Sequence, residues 1–317
     1  MHKYKSEKIK TKQAVMLLAV LCATHMLSSC SDSSYTPPAP DDAQTLTLSV
    51  TDAPLDGVSK VLVQFAGVEV KPVGADVKTI MFDTPVDVDI LSLQGKRRVP
   101  IMLDHKLATG EYEYIRLLLN ATQGEFNSLV LLDDNTWQSL YVPDGDKIGL
   151  KIVQSFKINS QNNTHLTIDF DLRKSISKES TEDAYRLSPS LRWVKESGYG
   201  HIAGFIDNAL LLSNGCIDSN NHSYGSIYLY PALADGQLPQ DIQRNANDPI
   251  SSANIEFDVV NGEYSYTMGY IPSKTTYSAV LVCDARLDDP VTADTLTFVG
   301  TPKSITVAAD VPNDLNF

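Results

Sequence analysis

The stretch Leu166-Thr167-Ile168-Asp169-Phe170-Asp171-Leu172 alternates apolar and polar residues at every position. Successive side chains of a β-strand point to opposite faces, so this pattern predicts a strand with its apolar side chains in a core and with Asp169 and Asp171 on the solvent face. Shorter stretches with the same alternation recur from Thr45 onward, and long helical periodicity is rare. The sequence therefore predicts an all-β fold.

The predicted strands fall into two series, which indicates two domains. The first series occupies residues 44–195 and the second residues 202–317, with residues 196–201 as a glycine-containing linker. Each series has many short strands at close spacing, which is typical of β-sandwiches. We therefore predict two tandem β-sandwich domains, with Pro231 to Ile250 as a polar, mobile loop of the second domain.

The strand that contains Gly67 changes the phase of its apolar residues. Val63 and Phe65 share one parity, whereas Val68 and Val70 take the other. An inserted residue produces such a change, and glycine tolerates the irregular backbone that results. Gly67 is therefore predicted to sit at a β-bulge.

The amino-terminal residues combine the features of a bacterial export signal. A lysine-bearing start precedes an apolar run, residues 14–27, that is shorter than a membrane span. Leu27, two serines and Cys30 end this run, and a cysteine directly after small residues is typical of lipoprotein signals. We predict a signal peptide over residues 1–29, cleavage between Ser29 and Cys30, and lipid on Cys30.

The chain after the predicted cleavage site supports the lipoprotein interpretation. Residues 30–43 are rich in serine and proline, which predicts a short disordered tether. Several acyl chains on Cys30, palmitate among them, would hold the protein stably at a membrane, whereas one chain binds only reversibly. Ser31 follows the cysteine in place of an aspartate, which favours the outer membrane. The alternative is a chance cysteine in an ordinary signal peptide or in an uncleaved anchor.

Charge and cysteine content narrow the remaining functions. The formal net charge of −13 and the lack of a lysine–arginine cluster argue against nucleic acid as a partner. Cys22 lies inside the signal peptide, so Cys216 and Cys283 are left for pairing after export. We predict a disulfide between them, because exported proteins fold in an oxidising compartment, and two separate thiols are the alternative.

The first series contains five motifs in a fixed order: Thr51-Asp52-Ala53-Pro54, Phe65 to Val70, Val88 to Gly95, Gly110 to Leu117, and Asp169 to Ile176. Together they resemble the uncharacterised bacterial lipoprotein family known as domain of unknown function 4382 (DUF4382). The resemblance covers about residues 44–194. It implies a β-rich exported domain, and the family supplies no catalytic residues to carry over.

The second series contains Gly262 to Tyr266 followed by Ile271 to Tyr277, a short strand that leads into a proline turn. This pattern is similar to transthyretin-like and carboxypeptidase-regulatory β-sandwiches, so the resemblance implies an immunoglobulin-like or transthyretin-like sandwich. The insertion over residues 231–250 and the two cysteines depart from that pattern. Such domains usually stiffen or present a neighbour, which by analogy favours a non-catalytic role.

One acidic loop is the main candidate for metal binding. Hard carboxylate oxygens at high density can hold calcium, although this loop lacks EF-hand spacing and solvated acidic loops are common. The loop contains Asp284, Asp288, Asp289 and Asp294. The histidines outside the signal lack the spacing of a zinc site. They are His105, His165, His201 and His222. We predict no cofactor and keep calcium as the alternative.

The sequence does not contain a recognisable catalytic motif. The nucleophile elbow G-x-S-x-G does not occur. The pairs Asp169/Asp171 and Asp87/Asp89 could suggest glycosidase chemistry, but each pair lies on a predicted solvent face, where a sandwich exterior needs polar residues anyway. Arg173 is predicted to pair with Asp169 or Asp171 and to fix the strand exit. We therefore predict that the protein is not an enzyme, with an envelope hydrolase as the alternative.

The partner classes that remain are a protein, a glycan or another envelope component. Exposed tyrosines of the second series could form a glycan-binding platform, although strand tyrosines more often pack in cores or at edges. They are Tyr224, Tyr228, Tyr230, Tyr264 and Tyr266. The predicted function is a lipid-anchored outer-membrane protein, on the periplasmic or surface face, with a binding or structural role. A calcium-dependent adhesion module is a further alternative.

Overall fold

The computed structural model describes residues 44–143, 150–179, 184–188, 190–218, 220, 222–223 and 225–317. These residues belong to one compact unit. The predicted signal peptide, its cleavage site at Ser29 and Cys30, and the tether lie outside the described residues. Within the described part of the chain, no helix is both long enough and apolar enough to cross a membrane.

The first thirteen strands are β1 (Gln44–Ala53), β2 (Val58–Pro72), β3 (Lys78–Asp89), β4 (Val99–Leu107), β5 (Gly110–Leu119), β6 (Leu129–Leu132), β7 (Trp137–Tyr141), β8 (Leu150–Ile152), β9 (Phe156–Ile158), β10 (Thr164–Asp171), β11 (Ile176–Lys178), β12 (Ala184–Leu187) and β13 (Leu191–Lys195). One sheet has the order β13-β10-β1-β4, with β1 and β10 parallel. The other has the order β11-β12-β7-β6-β2-β5-β8, with β3 on β2 and β9 on β5. We call this pair of sheets the N-terminal sandwich.

The core of the N-terminal sandwich lies between its two sheets. Leu48 on β1, together with Ile168 and Phe170 on β10, is fully buried, as the alternating pattern predicts. Phe65 on β2 meets Phe170 edge to face across the core, with ring centroids 6.0 Å apart. The apolar side of the stretch from Leu166 to Leu172 therefore organises this half of the molecule.

Gly67 lies at the irregularity predicted for it. The registers of β2 with β3 and of β2 with β5 both shift between Phe65 and Gly67. A Cβ atom at this position would lie 2.5 Å from the carbonyl oxygen of Ile80, so a side chain would push β3 away. The predicted bulge is confirmed.

The remaining strands form the C-terminal sandwich. They are β14 (Tyr199–Ile206), β15 (Ser226–Pro231), β16 (Ser251–Asn254), β17 (Glu256–Asp258), β18 (Glu263–Pro272), β19 (Thr276–Val282), β20 (Phe298–Thr306) and β21 (Pro312–Asp314). Its sheets have the orders β17-β18-β14-β21 and β16-β15-β19-β20. The all-β sandwich fold is confirmed. Strand β14 begins inside the predicted linker 196–201, of which Glu196–Gly198 forms a short 3-10 turn.

One sheet of the C-terminal sandwich is apolar on both faces. Ile227 and Leu229 on β15 face the core between the sheets, whereas Tyr228 and Tyr230 face the opposite side. On that side they pack with Ile242, which comes from the loop predicted over residues 231–250. The loop therefore covers a sheet face instead of extending into solvent.

Two short α-helices follow strand ends, and an aspartate caps each of them. Leu172–Ser175 follows β10, and Asp171 accepts a hydrogen bond from the backbone N–H of Lys174. Asn208–Ser213 follows β14, and Asp207 caps it in the same way. The remaining 3-10 turns are Ile90–Leu93 and Ala285–Leu287.

Candidate functional site

The outer face of the β13-β10-β1-β4 sheet is covered by the C-terminal sandwich. β1 lies against β16, and β13 lies against β18. Asp169 and Asp171 are consequently only 4% and 5% exposed, so the prediction that they face solvent is wrong. The alternation correctly places them opposite the core, but a second domain occupies that side.

Cations of the same sandwich neutralise these two buried aspartates. Arg192 Nε donates to Asp169 Oδ2 at 2.9 Å. Lys174 Nζ lies 3.4 Å from Asp171 Oδ2, and the Lys174 backbone N–H donates to the other oxygen. Buried carboxylates require such partners, because desolvation penalises an unpaired charge. Arg173, which was predicted to pair with one of them, pairs elsewhere.

The side chain of Arg173 enters the C-terminal sandwich and is 2% exposed. Its Nη1 lies 2.8 Å from Asp56 Oδ2 and donates to the carbonyl oxygen of Ala285 at 2.6 Å. Its Nη2 donates to Asn254 Oδ1 at 2.8 Å and to Ser226 Oγ at 3.1 Å. Arg173 of the N-terminal sandwich therefore donates hydrogen bonds to three residues of the C-terminal sandwich.

The surroundings keep Arg173 charged. Burial alone would lower the pKa of Arg173, but Tyr228 and Asp56 raise the pKa above its usual value. The Tyr228 ring centroid lies 5.7 Å from the guanidinium carbon. Asn254 Nδ2 donates to Asp56 Oδ1 at 3.0 Å, which fixes the carboxylate that Arg173 meets. The two sandwiches are thus joined by charge-assisted hydrogen bonds, which are stronger than neutral ones.

A cleft of about 330 Å³ lies between the two sandwiches. We call it the inter-sandwich cleft. It is lined by Asp52, Pro54 and residues 94–97 on one side, and by residues 251–254, 256 and 265–269 on the other.

Close backbone contacts hold the two walls of the inter-sandwich cleft together. The Tyr270 hydroxyl donates to the carbonyl oxygen of Lys96 at 3.0 Å. A Cβ atom on Gly269 would lie 1.7 Å from the carbonyl oxygen of Gly95, so no side chain fits between β18 and the 94–97 loop. The cleft therefore has a defined shape.

Two buried side-chain oxygen atoms that line the cleft have no hydrogen-bond partner among the described residues. Asp52 Oδ1 accepts from the backbone N–H of Leu172 at 3.3 Å, whereas Asp52 Oδ2 has no partner among the described residues. Burial raises the pKa of Asp52 well above its usual value, and the charges of Asp169 and Asp171 raise it further. Ser252 Oγ is likewise buried and has no partner in the described part of the chain.

A second group of carboxylates, the aspartate cluster, consists of Asp241, Asp288 and Asp294. One oxygen of each lies within 4.8 Å of the others. The loop predicted as a calcium site supplies two of the three, and Asp241 comes from the segment that covers the sheet. Burial raises the pKa of Asp288 to about 6, although hydrogen bonding from Tyr228 and the charge of Arg173 oppose this shift.

The other two aspartates of the predicted calcium loop stabilise local turns. Asp284 accepts hydrogen bonds from the backbone N–H and the hydroxyl of Thr297, both at 2.8 Å. Asp289 Oδ1 accepts from the backbone N–H of Val291 at 2.9 Å. The four aspartates therefore do not converge on one point, and calcium stays an untested alternative.

Cys216 and Cys283 form the predicted disulfide. Both residues are buried in the core of the C-terminal sandwich. The bond joins the segment after helix Asn208–Ser213 to the end of β19, so it ties a loop to the sheet.

The tyrosines proposed as a glycan platform are largely inaccessible. Four of them are buried, namely Tyr228, Tyr230, Tyr264 and Tyr266. Tyr224 lies outside the described residues. The four described tyrosines therefore form core packing and not an exposed surface.

The residues of the inter-sandwich cleft were not identified from the sequence. Asp52 shares the parity of Leu48 and Val50 on β1, so the alternation itself places a carboxyl group on the core side. A carboxyl group on an apolar face is unusual, and this was the available signal. No sequence pattern distinguishes Ser252 from the other strand serines.

No curated protein and no solved structure matches the chain. Asp52 and Arg173 both fall within the part of the chain that does match a known family. Residues 43–189, which correspond to most of the N-terminal sandwich, match the family model described as Domain of unknown function (DUF4382), the family that the five sequence motifs resemble.

Proposed function

We propose that the protein is a lipoprotein, held in the outer membrane by lipid on Cys30, that acts by binding or as a structural element and not by catalysis. The signal-like residues 1–29, the cysteine directly after Ser29, and the serine- and proline-rich residues 30–43 support the anchor. The partner would be a protein, a glycan or another component of the envelope, on the periplasmic or the surface side.

The observation that best supports this role is the burial of Arg173 between the sandwiches. Arg173 lies 2.8 Å from both Asp56 of the N-terminal sandwich and Asn254 of the C-terminal sandwich. Separating the sandwiches would break the hydrogen bonds that Arg173 donates to Asn254 and Ala285 of the C-terminal sandwich, which is costly because a charged donor loses its partners. The two sandwiches would therefore act as one rigid body, which suits a module that presents a fixed binding surface.

The partners and the position of the buried aspartates Asp169 and Asp171 favour this role over glycosidase chemistry. A glycosidase needs one carboxyl group that donates a proton and one carboxylate that attacks or activates water. Asp169 and Asp171 are both engaged by cations, Arg192 and Lys174 respectively. Among the described residues, neither aspartate lines the inter-sandwich cleft, so this pair is poorly placed to act on a substrate bound there.

In this proposal the C-terminal sandwich is a structural support for the N-terminal sandwich. We assign it to the transthyretin-like or carboxypeptidase-regulatory type on its sequence pattern, and β18 carries most of Gly262 to Tyr266 and the start of Ile271 to Tyr277. Domains of that type commonly stiffen or present a neighbour, which is an analogy at the level of the fold. Its contacts with Arg173 are consistent with such a support.

Metabolic labelling with an alkynyl palmitate analogue, followed by mass spectrometry of the mature amino terminus, tests the anchor. The wild-type chain should carry label and begin at Cys30, and Cys30→Ser should lose both the label and the membrane association. Cys22→Ser is the matched control, because it changes a cysteine within the predicted signal peptide, and it should retain both. An unlabelled wild-type chain, or one that begins elsewhere, refutes the anchor.

Density-gradient separation of the two membranes tests the location. The labelled protein should sediment with the outer membrane, and recovery in the inner-membrane fraction refutes that assignment. Protease treatment of intact cells then distinguishes the surface face from the periplasmic face, because only surface-exposed chains are cleaved.

A further inference from the structure

The inter-sandwich cleft is lined by two residues that each have an oxygen atom without a hydrogen bond in the described part of the chain. Asp52 and Ser252 are 6% and 3% exposed, and Asp52 Oδ2 and Ser252 Oγ lack partners among the described residues. Buried polar groups without partners are rare in native proteins, and each one calls for an explanation such as a water, an ion or a ligand. Here one such group comes from each sandwich, and both residues line the same cleft.

The lining of the cleft indicates the chemistry of a ligand. Besides Asp52, hydroxyl and amide side chains predominate on its walls, and they suit a partner with many hydrogen-bonding groups. They are Gln94, Ser251, Ser252, Asn254, Ser265, Tyr266 and Thr267. The charged lining residues are two basic ones on exposed positions, Lys96 and Arg97, and two acidic ones, buried Asp52 and exposed Glu256, so neither type of side chain outnumbers the other. A neutral, polyhydroxylated molecule matches this lining better than a cation or an anion.

The size and rigidity of the cleft also suit a small ligand. Its volume of about 330 Å³ falls within the range of small-molecule sites, about 300–1,000 Å³. The contact of Gly95 with Gly269 and the hydrogen bond from Tyr270 to Lys96 hold its walls in place. A preformed site spends less free energy on ordering when a ligand binds.

We propose that the inter-sandwich cleft binds a neutral saccharide, with Asp52 and Ser252 hydrogen bonding to its hydroxyl groups. This inference rests on the proposed binding role and narrows the partner to a glycan. Asp52 accepts from a sugar hydroxyl through Oδ2, and Ser252 both donates and accepts. Burial also favours the protonated form of Asp52, which can donate as well as accept.

Saturation-transfer NMR titration of the full-length lipidated protein tests the inference. The probes are D-glucose, D-galactose, N-acetyl-D-glucosamine and maltose, in a detergent without a sugar headgroup, because a glycosidic detergent would compete. At least one probe should bind to the wild-type protein. Asp52→Asn should weaken that binding by about 10-fold or more, because the amide oxygen must accept from Leu172 N–H and the NH2 group that then replaces Oδ2 cannot accept a hydrogen bond. Ser252→Ala should weaken it by about 3-fold or more.

Two exposed positions supply matched controls. Asp87→Asn repeats the carboxyl-to-amide change on β3, and Ser304→Ala repeats the hydroxyl loss on β20. Both should leave the affinity unchanged. If Asp52→Asn fails to fold, Ser252→Ala is the test, because the Ser252 hydroxyl has no partner within the described residues and the fold does not depend on it there.

Four results overturn the inference. These are no binding of any probe, equal affinity in the cleft variants and the controls, hydrolysis of maltose by the wild-type protein that is lost in Asp52→Asn, and preferential binding of spermidine, which would indicate a cation site. None of them bears on the acylation of Cys30. The two proposals can therefore fail separately: the chain could bind a saccharide without being acylated on Cys30, or be acylated without binding any of the saccharides.

Discussion

Strands β3 and β10 of the N-terminal sandwich alternate apolar residues with aspartate in the same way, yet their aspartates lie in different surroundings. Asp87 on β3 is exposed, and Gln64 Nε2 donates to it at 2.7 Å. Asp169 and Asp171 on β10 are buried beneath the C-terminal sandwich. Alternation therefore identifies the two faces of a strand, but it does not reveal what covers the outer face.

The covered face has an energetic consequence that the open face lacks. A carboxylate in solvent keeps most of its hydration, and its pairing contributes little to stability. A carboxylate under a second domain loses that hydration and needs a cation or several hydrogen bonds in return. The contrast between β3 and β10 can thus be measured. It is the difference in unfolding free energy lost when an aspartate on each strand is replaced by a neutral residue.

The largest effect is expected at Arg173, where the covering sandwich meets a buried cation. Arg173→Ala should lower the free energy of unfolding by about 3 kcal/mol, because Asp56 and Asn254 lose their charged donor. Urea unfolding followed by circular dichroism measures the change. Arg186→Ala, at an exposed arginine on β12, is the control and should stay within about 0.5 kcal/mol. Similar losses in both variants would contradict a joining role for Arg173.

A smaller effect is expected when the two classes of aspartate are compared directly. Asp169→Asn should cost about 1–3 kcal/mol, because Arg192 loses the carboxylate to which it donates. Asp87→Asn makes the same chemical change in solvent and should stay within about 0.5 kcal/mol. Paired unfolding curves at neutral pH decide the comparison. Equal losses of unfolding free energy in Asp169→Asn and Asp87→Asn would show that burial beneath the C-terminal sandwich does not make the carboxylate more important for stability.

Features set by neighbours along the chain were predictable from the sequence. The change of apolar parity around Gly67 is a local property, and the bulge lies where that change occurs. The core positions of β10 follow from its alternation. Cys216 and Cys283 were the two cysteines left to pair outside the predicted signal and lipid sites, so their disulfide followed from composition.

Features set by contact between the two sandwiches were not predictable. The five motifs describe one domain at a time, and nothing in them shows that Arg173 reaches residues more than 50 positions away. Asp241 joins the aspartate cluster only because its loop folds over a sheet face. Asp52 is the exception, since its parity with Val50 placed a carboxyl group on an apolar face where a special role could have been suspected.

The pH dependence of stability extends the comparison to two adjacent residues, Asp288 and Asp289. Burial raises the pKa of Asp288 from 3.8 to about 6. The folded state then binds this proton more tightly than the unfolded state, so the stability contributed by Asp288 is full below about pH 4 and is lost as the pH rises through about 6.

Asp288→Asn should therefore remove part of the decline in the free energy of unfolding between about pH 4 and pH 6. Urea unfolding at a series of pH values measures this difference between variant and wild type. Asp289→Asn changes an exposed neighbour and should keep the wild-type profile. A profile that is unchanged in Asp288→Asn would show that the residue titrates alike in both states.

The smallest effect is expected from calcium, although three carboxylates meet in the aspartate cluster. Both oxygens of Asp241, Asp288 and Asp294 already accept hydrogen bonds from backbone or side-chain donors. The cluster is therefore satisfied by its own loops, and we expect the same melting temperature in excess calcium and in EGTA. Asp241→Asn gives the decisive comparison, because it removes one charge from the group. A melting temperature that rises with calcium in the wild type but not in Asp241→Asn would show that the aspartate cluster binds calcium, as the calcium-dependent alternative requires. An ion that binds the folded state raises its stability, and the variant would have lost one of the ligands of that ion.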